Sequence, residues 1–118
     1  MTELIACLSS GKGTWGHVSR IIQDLEWEKI ILITNQFGKD NFKNEKNADL
    51  ILIDENMPLT ELIALLEKEL KNKIKGLEVA VNLISGSGKE HMALLGALIK
   101  IGVGIRFVAL TADGVKEV

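Results

Sequence analysis

The strongest constraint on this chain is an alternation. Five short apolar runs, at residues 4–8, 30–33, 50–53, 79–84 and 105–110, are separated by helix-like or polar segments. Residues 30–33 and 50–53 are unbroken Leu/Ile runs, the pattern of strands buried on both faces of a parallel sheet. Between the runs, Val18, Ile21, Ile22 and Leu25 recur at helical spacing, which predicts a helix over 15–25. Pro58 opens a second helical segment at the first-turn position proline tolerates. Its stripe is Leu59, Leu62, Ile63, Leu66, Leu70 and Ile74, and Gly76 stops it. A third helix is expected over 89–101, closed by Gly102. The polar stretch 35–47 leaves room for a short helix near Phe42, and a short tail follows residue 110.

Strands alternating with helices give an α/β fold with right-handed crossovers. We expect a Rossmann-like three-layer sandwich with a central, mostly parallel, five-stranded sheet in the order 3-2-1-4-5. In that order strands one and four are neighbours at the switch point, and ligands bind outside their carboxyl ends. Two glycine-rich loops follow those strands: Ser9-Ser10-Gly11-Lys12-Gly13-Thr14 and Ser85-Gly86-Ser87-Gly88-Lys89. They would face one crevice. The flavodoxin-like order 2-1-3-4-5 would separate them by a strand.

Each loop holds the parts of an anion site. Glycines allow close backbone approach, a helix N-terminus follows, and serines and a lysine add donors. The competing reading is a strand-to-helix turn whose serine only caps the helix. A nucleotide-hydrolysing P-loop does not fit. The pattern G-x-x-x-x-G-K-S/T needs glycine where Leu83 stands and Ser or Thr where Glu90 stands. Around Lys12 the required glycine falls on Ala6, and Gly13 follows the lysine. Gly11, Gly13 and Gly16 match G-x-G-x-x-G, but Thr34-Asn35-Gln36 replaces the acid that a dinucleotide site needs after strand two.

Composition narrows the function. The 118 residues make one domain, 1–118, with 47% apolar and 25% charged residues. A net charge of −2 speaks against bulk electrostatic binding to duplex DNA or to a membrane. The longest apolar run, 92–99, is too short to span a bilayer. Cys7 stands alone and shares no zinc-type spacing with His17 and His91, so neither metal nor cofactor is expected. A reducing cytoplasm and no signal peptide are expected. His17 and His91 both start helices after the loops and could serve acid–base work on a phosphodiester, or simply sit at helix starts. Trp15 could stack on a base or lie in the core. Asn35, Gln36 and Thr111 end strands on the crevice side. The helix over 89–101 has almost no polar face, which predicts burial all round. We expect a homodimer through this helix, with Ala93, Gly96, Ala97 and Lys100 against the twin, the competing reading being an internal helix covered by the tail.

Two segments, "ACLSSGKGTWGHVSRII" and "AVNLISGSGKEHMALLGALI", resemble the CRISPR-associated Rossmann fold (CARF) family. The family's second motif runs Asp or Asn, any residue, Ser or Thr, three residues, then Arg or Lys. Ser85 and Lys89 match its second half, while its first position falls on Leu83 with Asn82 one residue early. The resemblance implies a homodimer that binds a cyclic oligoadenylate, with tetra-adenylate the first ring expected. Ser9, Ser10, Gly11, Lys12, Gly13 and Thr14 would form one ligand loop, and Ser85, Gly86, Ser87, Gly88 and Lys89, with His91, the other. It also implies metal-free ring cleavage, with Lys89, Ser9 and Ser10 as helpers. Two other readings stand beside it: a sensor domain of a transcription regulator without catalysis, and a small nucleotide- or phosphate-metabolising enzyme using His17 and His91.

Overall fold

The computed structural model describes residues 2–8 and 11–118. The strands are β1 (Glu3–Cys7), β2 (Lys29–Thr34), β3 (Asp49–Leu52), β4 (Glu78–Asn82), β5 (Gly104–Thr111) and β6 (Gly114–Glu117). The helices are α1 (Trp15–Asp24), α2 (Gln36–Asn41), α3 (Leu59–Lys73) and α4 (Gly88–Ile101), and a 3-10 turn at Lys12–Thr14 leads into α1. They build one sheet in the order β3-β2-β1-β4-β5-β6. The first five strands are parallel and β6 is antiparallel to β5.

The expected order 3-2-1-4-5 is therefore present, with a sixth strand where a tail was expected. A tight turn makes it. Gly114 takes φ +103, which suits glycine. The Thr111 hydroxyl donates to the Gly114 carbonyl at 2.8 Å and accepts from the Asp113 N–H at 3.1 Å. The Asp113-Gly114 pair is a hairpin signal that lay open in the sequence.

Two apolar layers cover the sheet. On one face α3 and α4 pack Leu62, Leu66, Leu70, Leu94 and Leu98 on Ile5, Ile31, Val79 and Val81. On the other, α1 packs Val18, Ile21 and Ile22 on Leu4, Ala6 and Leu32. Each fully buried Leu or Ile contributes about 1.5–3 kcal/mol. β1 runs through the middle of both layers and is buried along its whole length. Its first residue, Glu3, is buried too. Its carboxylate accepts the Lys75 and Gly76 N–H groups at 2.9 and 2.7 Å, which closes the loop between α3 and β4.

Helix α4 corrects one expectation. Ala93 and Ala97 are fully buried in the α3–α4 layer, and Gly96 meets Ile63 of α3. The small-residue side packs within the chain, because it lets α4 approach the sheet and α3 closely. The outward residues are Met92 and Ile99, 63% and 71% exposed, with Lys100 beside them. No described helix is long and apolar enough to cross a membrane.

Candidate functional site

β1 pairs directly with β4, ending in the pair Ala6–Asn82. The two glycine-rich loops therefore leave neighbouring strands at the same edge of the sheet. Ser9 and Ser10 lie outside the described residues. Gly11, Lys12 and Gly13 are exposed and Thr14 is half-buried. Thr14 sits at the start of α1 but makes no side-chain cap bond, and the first turn of α1 holds no acid. A Cβ added at Gly13 or Gly16 would meet nothing within 4 Å. The fold thus leaves open space at both glycines.

Lys12 stands over two aromatic rings, its Nζ 5.9 Å from the Trp15 centroid and 5.7 Å from that of Phe37. Trp15 is only 8% exposed and packs edge-on against Phe42 at 5.6 Å, so it is a core residue. The exposed ring is Phe37, at 41%. Sequence reasoning passed over Phe37, although it follows β2 by three positions. Beside it lies an open groove of about 350 Å³, lined by Asn35, Gln36, Phe37, Ile53, Asp54 and Glu55.

The second loop is built differently. Ser85 is buried, and Gly86 adopts φ +103. A Cβ at Gly86 would lie 3.0 Å from Cys7 Cβ and 3.1 Å from His91 Nε2, so glycine is required there. Ser87 and Glu90 form a complete capping box. The Ser87 hydroxyl accepts from the Glu90 N–H at 3.2 Å, and the Glu90 carboxylate accepts from the Ser87 N–H at 2.9 Å. An acid of the chain itself thus occupies the α4 N-terminus. Gly88 opens α4 with space around it. Lys89 donates from Nζ to the Glu55 carbonyl at 2.9 Å, tying the start of α4 to the loop after β3. Asn35 donates to the Glu55 carboxylate in the same place, at 2.8 Å.

The two histidines engage separate partners on elements that pack on opposite faces of the sheet. His17, on α1, accepts at Nε2 from the Leu110 N–H at 3.1 Å and lies 3.3 Å from the Asn82 amide nitrogen. His91, on α4, has Nε2 2.7 Å from the Ser85 carbonyl, a bond in which the ring donates. The shared acid–base geometry expected of a catalytic pair is not formed. Cys7 is a core residue. Burial, with the Glu90 charge adding, pushes its thiol up to about 12, so it stays protonated. Thr111 serves the β5–β6 turn. Among the described residues no group of three or more His, Cys, Asp or Glu side chains is placed to hold a metal ion.

A larger groove, about 690 Å³, lies at the opposite, amino-terminal edge of the sheet. Leu25, Trp27, Val108 and Val115 line it, with Arg106 held by Glu117 at 2.9 Å on its rim. None of the described residues of either glycine loop lines it.

No protein-family model and no curated protein matches the chain. Among solved structures, the chain is similar to the FMN-dependent cysteine decarboxylase TvaF from thioviridamide biosynthesis, at 12% identity and a TM-score of 0.33. That similarity covers 87% of this chain and 88% of the decarboxylase.

Proposed function

We propose that the chain binds a cyclic oligoadenylate across a homodimer, at the crevice where the two glycine-rich loops meet. The observation that carries this reading is the direct pairing of β1 with β4, which puts both loops at one edge. The first loop supplies Lys12, a helix start at which Thr14 makes no side-chain cap bond, and the open approach at Gly13 and Gly16. Phe37 supplies an exposed aromatic face on which an adenine can stack. Met92 and Ile99, about two turns apart on the outer side of α4, supply an apolar strip for a second copy. Such a dimer brings each loop twice to the two-fold axis, matching a ring of repeated nucleotides.

Ring opening without metal belongs to the same reading. A ribose 2′-oxygen forms a bond to the adjacent phosphorus while the bond to the 5′-oxygen breaks. The 2′-OH loses its proton and the 5′-oxygen gains one, leaving a 2′,3′-cyclic phosphate and a 5′-hydroxyl. Lys89 and the loop amides other than that of Ser87 would stabilise the extra negative charge, with Ser9 and Ser10 positioning the ribose and phosphate. For this Lys89 must leave the Glu55 carbonyl.

Titration with cyclic tetra- and hexa-adenylate, followed over time for linear product, tests the proposal. Saturable binding to one ring is expected, and Lys89→Ala should weaken binding or cleavage about tenfold or more. Binding without product identifies a sensor. No binding to either ring sinks the reading, and a monomer by light scattering at high concentration removes its dimer.

A further inference from the structure

Asn82 ends β4 immediately before the second loop and is 3% exposed. Every polar atom of its side chain has a task. The amide nitrogen donates to the Val108 carbonyl of β5 at 2.8 Å and reaches His17 Nε2 at 3.3 Å. The carbonyl oxygen accepts the Ile84 N–H of the loop at 3.3 Å. The amide orientation is dictated by Val108, since a flipped side chain would set two carbonyl oxygens together. The nitrogen facing His17 is therefore a donor. The Leu110 backbone N–H is a donor by nature, and it points at the same Nε2 at 3.1 Å. Nε2 must accept from both, so the ring is neutral and carries its proton on Nδ1.

We infer that His17 and Asn82 are positioning residues of the crevice, one junction that fixes both loops at once. His17 lies on the helix that follows the first loop, and Asn82 shapes the second through Ile84. The inference deepens the proposed reading of the crevice and rests on it only for the ligand measurement. A ring protonated on both nitrogens would press an N–H against two other donors. No charged side chain is hydrogen-bonded to the ring among the described residues. β4 offers neutral Asn82 and β5 the Leu110 N–H. Arg106 of β5 is taken by Glu117 of β6 and Glu78 of β4, and Arg20 of α1 by Asp24. Lys12 in the preceding turn lies over Trp15 and Phe37. Lys116 of β6 pairs in register with Ala109, the strand position next to Leu110, and Asp113 stands in the β5–β6 turn.

The test is an NMR pH titration of the full chain and of His17→Gln and His17→Leu. Gln keeps a neutral acceptor that does not titrate, and Leu removes the acceptor. In the wild type, the Leu110 and Ile84 amide resonances should move together with the His17 ring on acidification, and the ring at neutral pH should show the Nδ1-protonated signature. Cyclic tetra-adenylate affinity should fall about tenfold once the His17 ring is protonated. In His17→Gln both responses should flatten. His91 is the internal control, because its bond to Ser85 survives protonation. Leu110 and Ile84 resonances that ignore the His17 titration would overturn the inference, as would unshifted loop resonances in His17→Leu. Loss of cyclic tetra-adenylate binding at every pH, with the NMR coupling intact, would instead fault the ring-binding reading.

Discussion

Helix α4 begins on a closed circuit of hydrogen bonds, whereas at the start of α1 Thr14 makes no side-chain cap bond. Both follow glycine-rich loops containing serine and lysine, and both leave adjacent strands. At α4, Ser87 and Glu90 satisfy each other's backbone N–H groups and Gly86 is wedged over Cys7 and His91. At α1, Thr14 caps nothing and Gly13 and Gly16 face open space. A glycine loop before a helix is thus two different devices. One uses its glycine to let the chain close on itself. The other leaves room beside the backbone, which a ligand can use. The resemblance of the second loop to an anion cradle misleads unless the position of Glu90 is weighed, because a carboxylate there competes with a phosphate for the same N–H group.

The sharpest way to break this contrast is to substitute the glycines in parallel. Gly86→Ala combines positive φ with a crowded Cβ and should cost about 1–3 kcal/mol in urea unfolding. Gly13→Ala should stay within about 0.5 kcal/mol. Equal losses would erase the distinction. Alkaline pH probes the covered loop in a second way. Burial pushes the Cys7 thiol up to about 12 in the fold, from an ordinary value of 9.0. Between those values the unfolded chain ionises while the folded chain does not. The stability that this difference provides is complete below about pH 9 and is lost as pH rises, by about 1.4 kcal/mol per pH unit. Cys7→Ala should remove that part of the slope in pH-dependent denaturation, and thiol reagents at pH 8 should modify Cys7 only on unfolding. Smallest is the cap pair. Ser87→Ala should cost about 1 kcal/mol of unfolding free energy, and Thr14→Ala should cost less than about 0.5 kcal/mol. A Thr14 effect as large as that of Ser87 would show that α1 is capped after all.

Much of the fold was legible. Continuous Leu/Ile runs with helical segments between them specify a parallel sheet, and the predicted strands differ from the observed ones mainly by a residue or two at their ends. The hairpin of β5 and β6 was missed because the run after residue 110 is short and charged, although Asp113-Gly114 marked its turn. The site was legible only as a location. Lys12, Gly13 and Lys89 were singled out by type, but Phe37 was not, because one aromatic in a polar stretch has no periodic partner. Helix α4 was read as apolar all round. Its small residues proved to face inward, since a side of Ala and Gly suits a close approach to a neighbouring helix of the same chain as well as to a second copy.

Sequence alone determined the alternation of strands and helices along the chain and the parallel, right-handed character of the sheet. These follow from apolar periodicity and from the rule that parallel strands need crossovers. Tertiary structure decided what each polar group does. Glu90 turns back to Ser87, Lys89 reaches Glu55, and His17 accepts from two donors brought together from β4 and β5. The reason is physical. Apolar burial depends on a pattern summed over many residues, which a sequence displays. A hydrogen bond depends on one donor and one acceptor meeting within about 3 Å, which only the folded chain arranges.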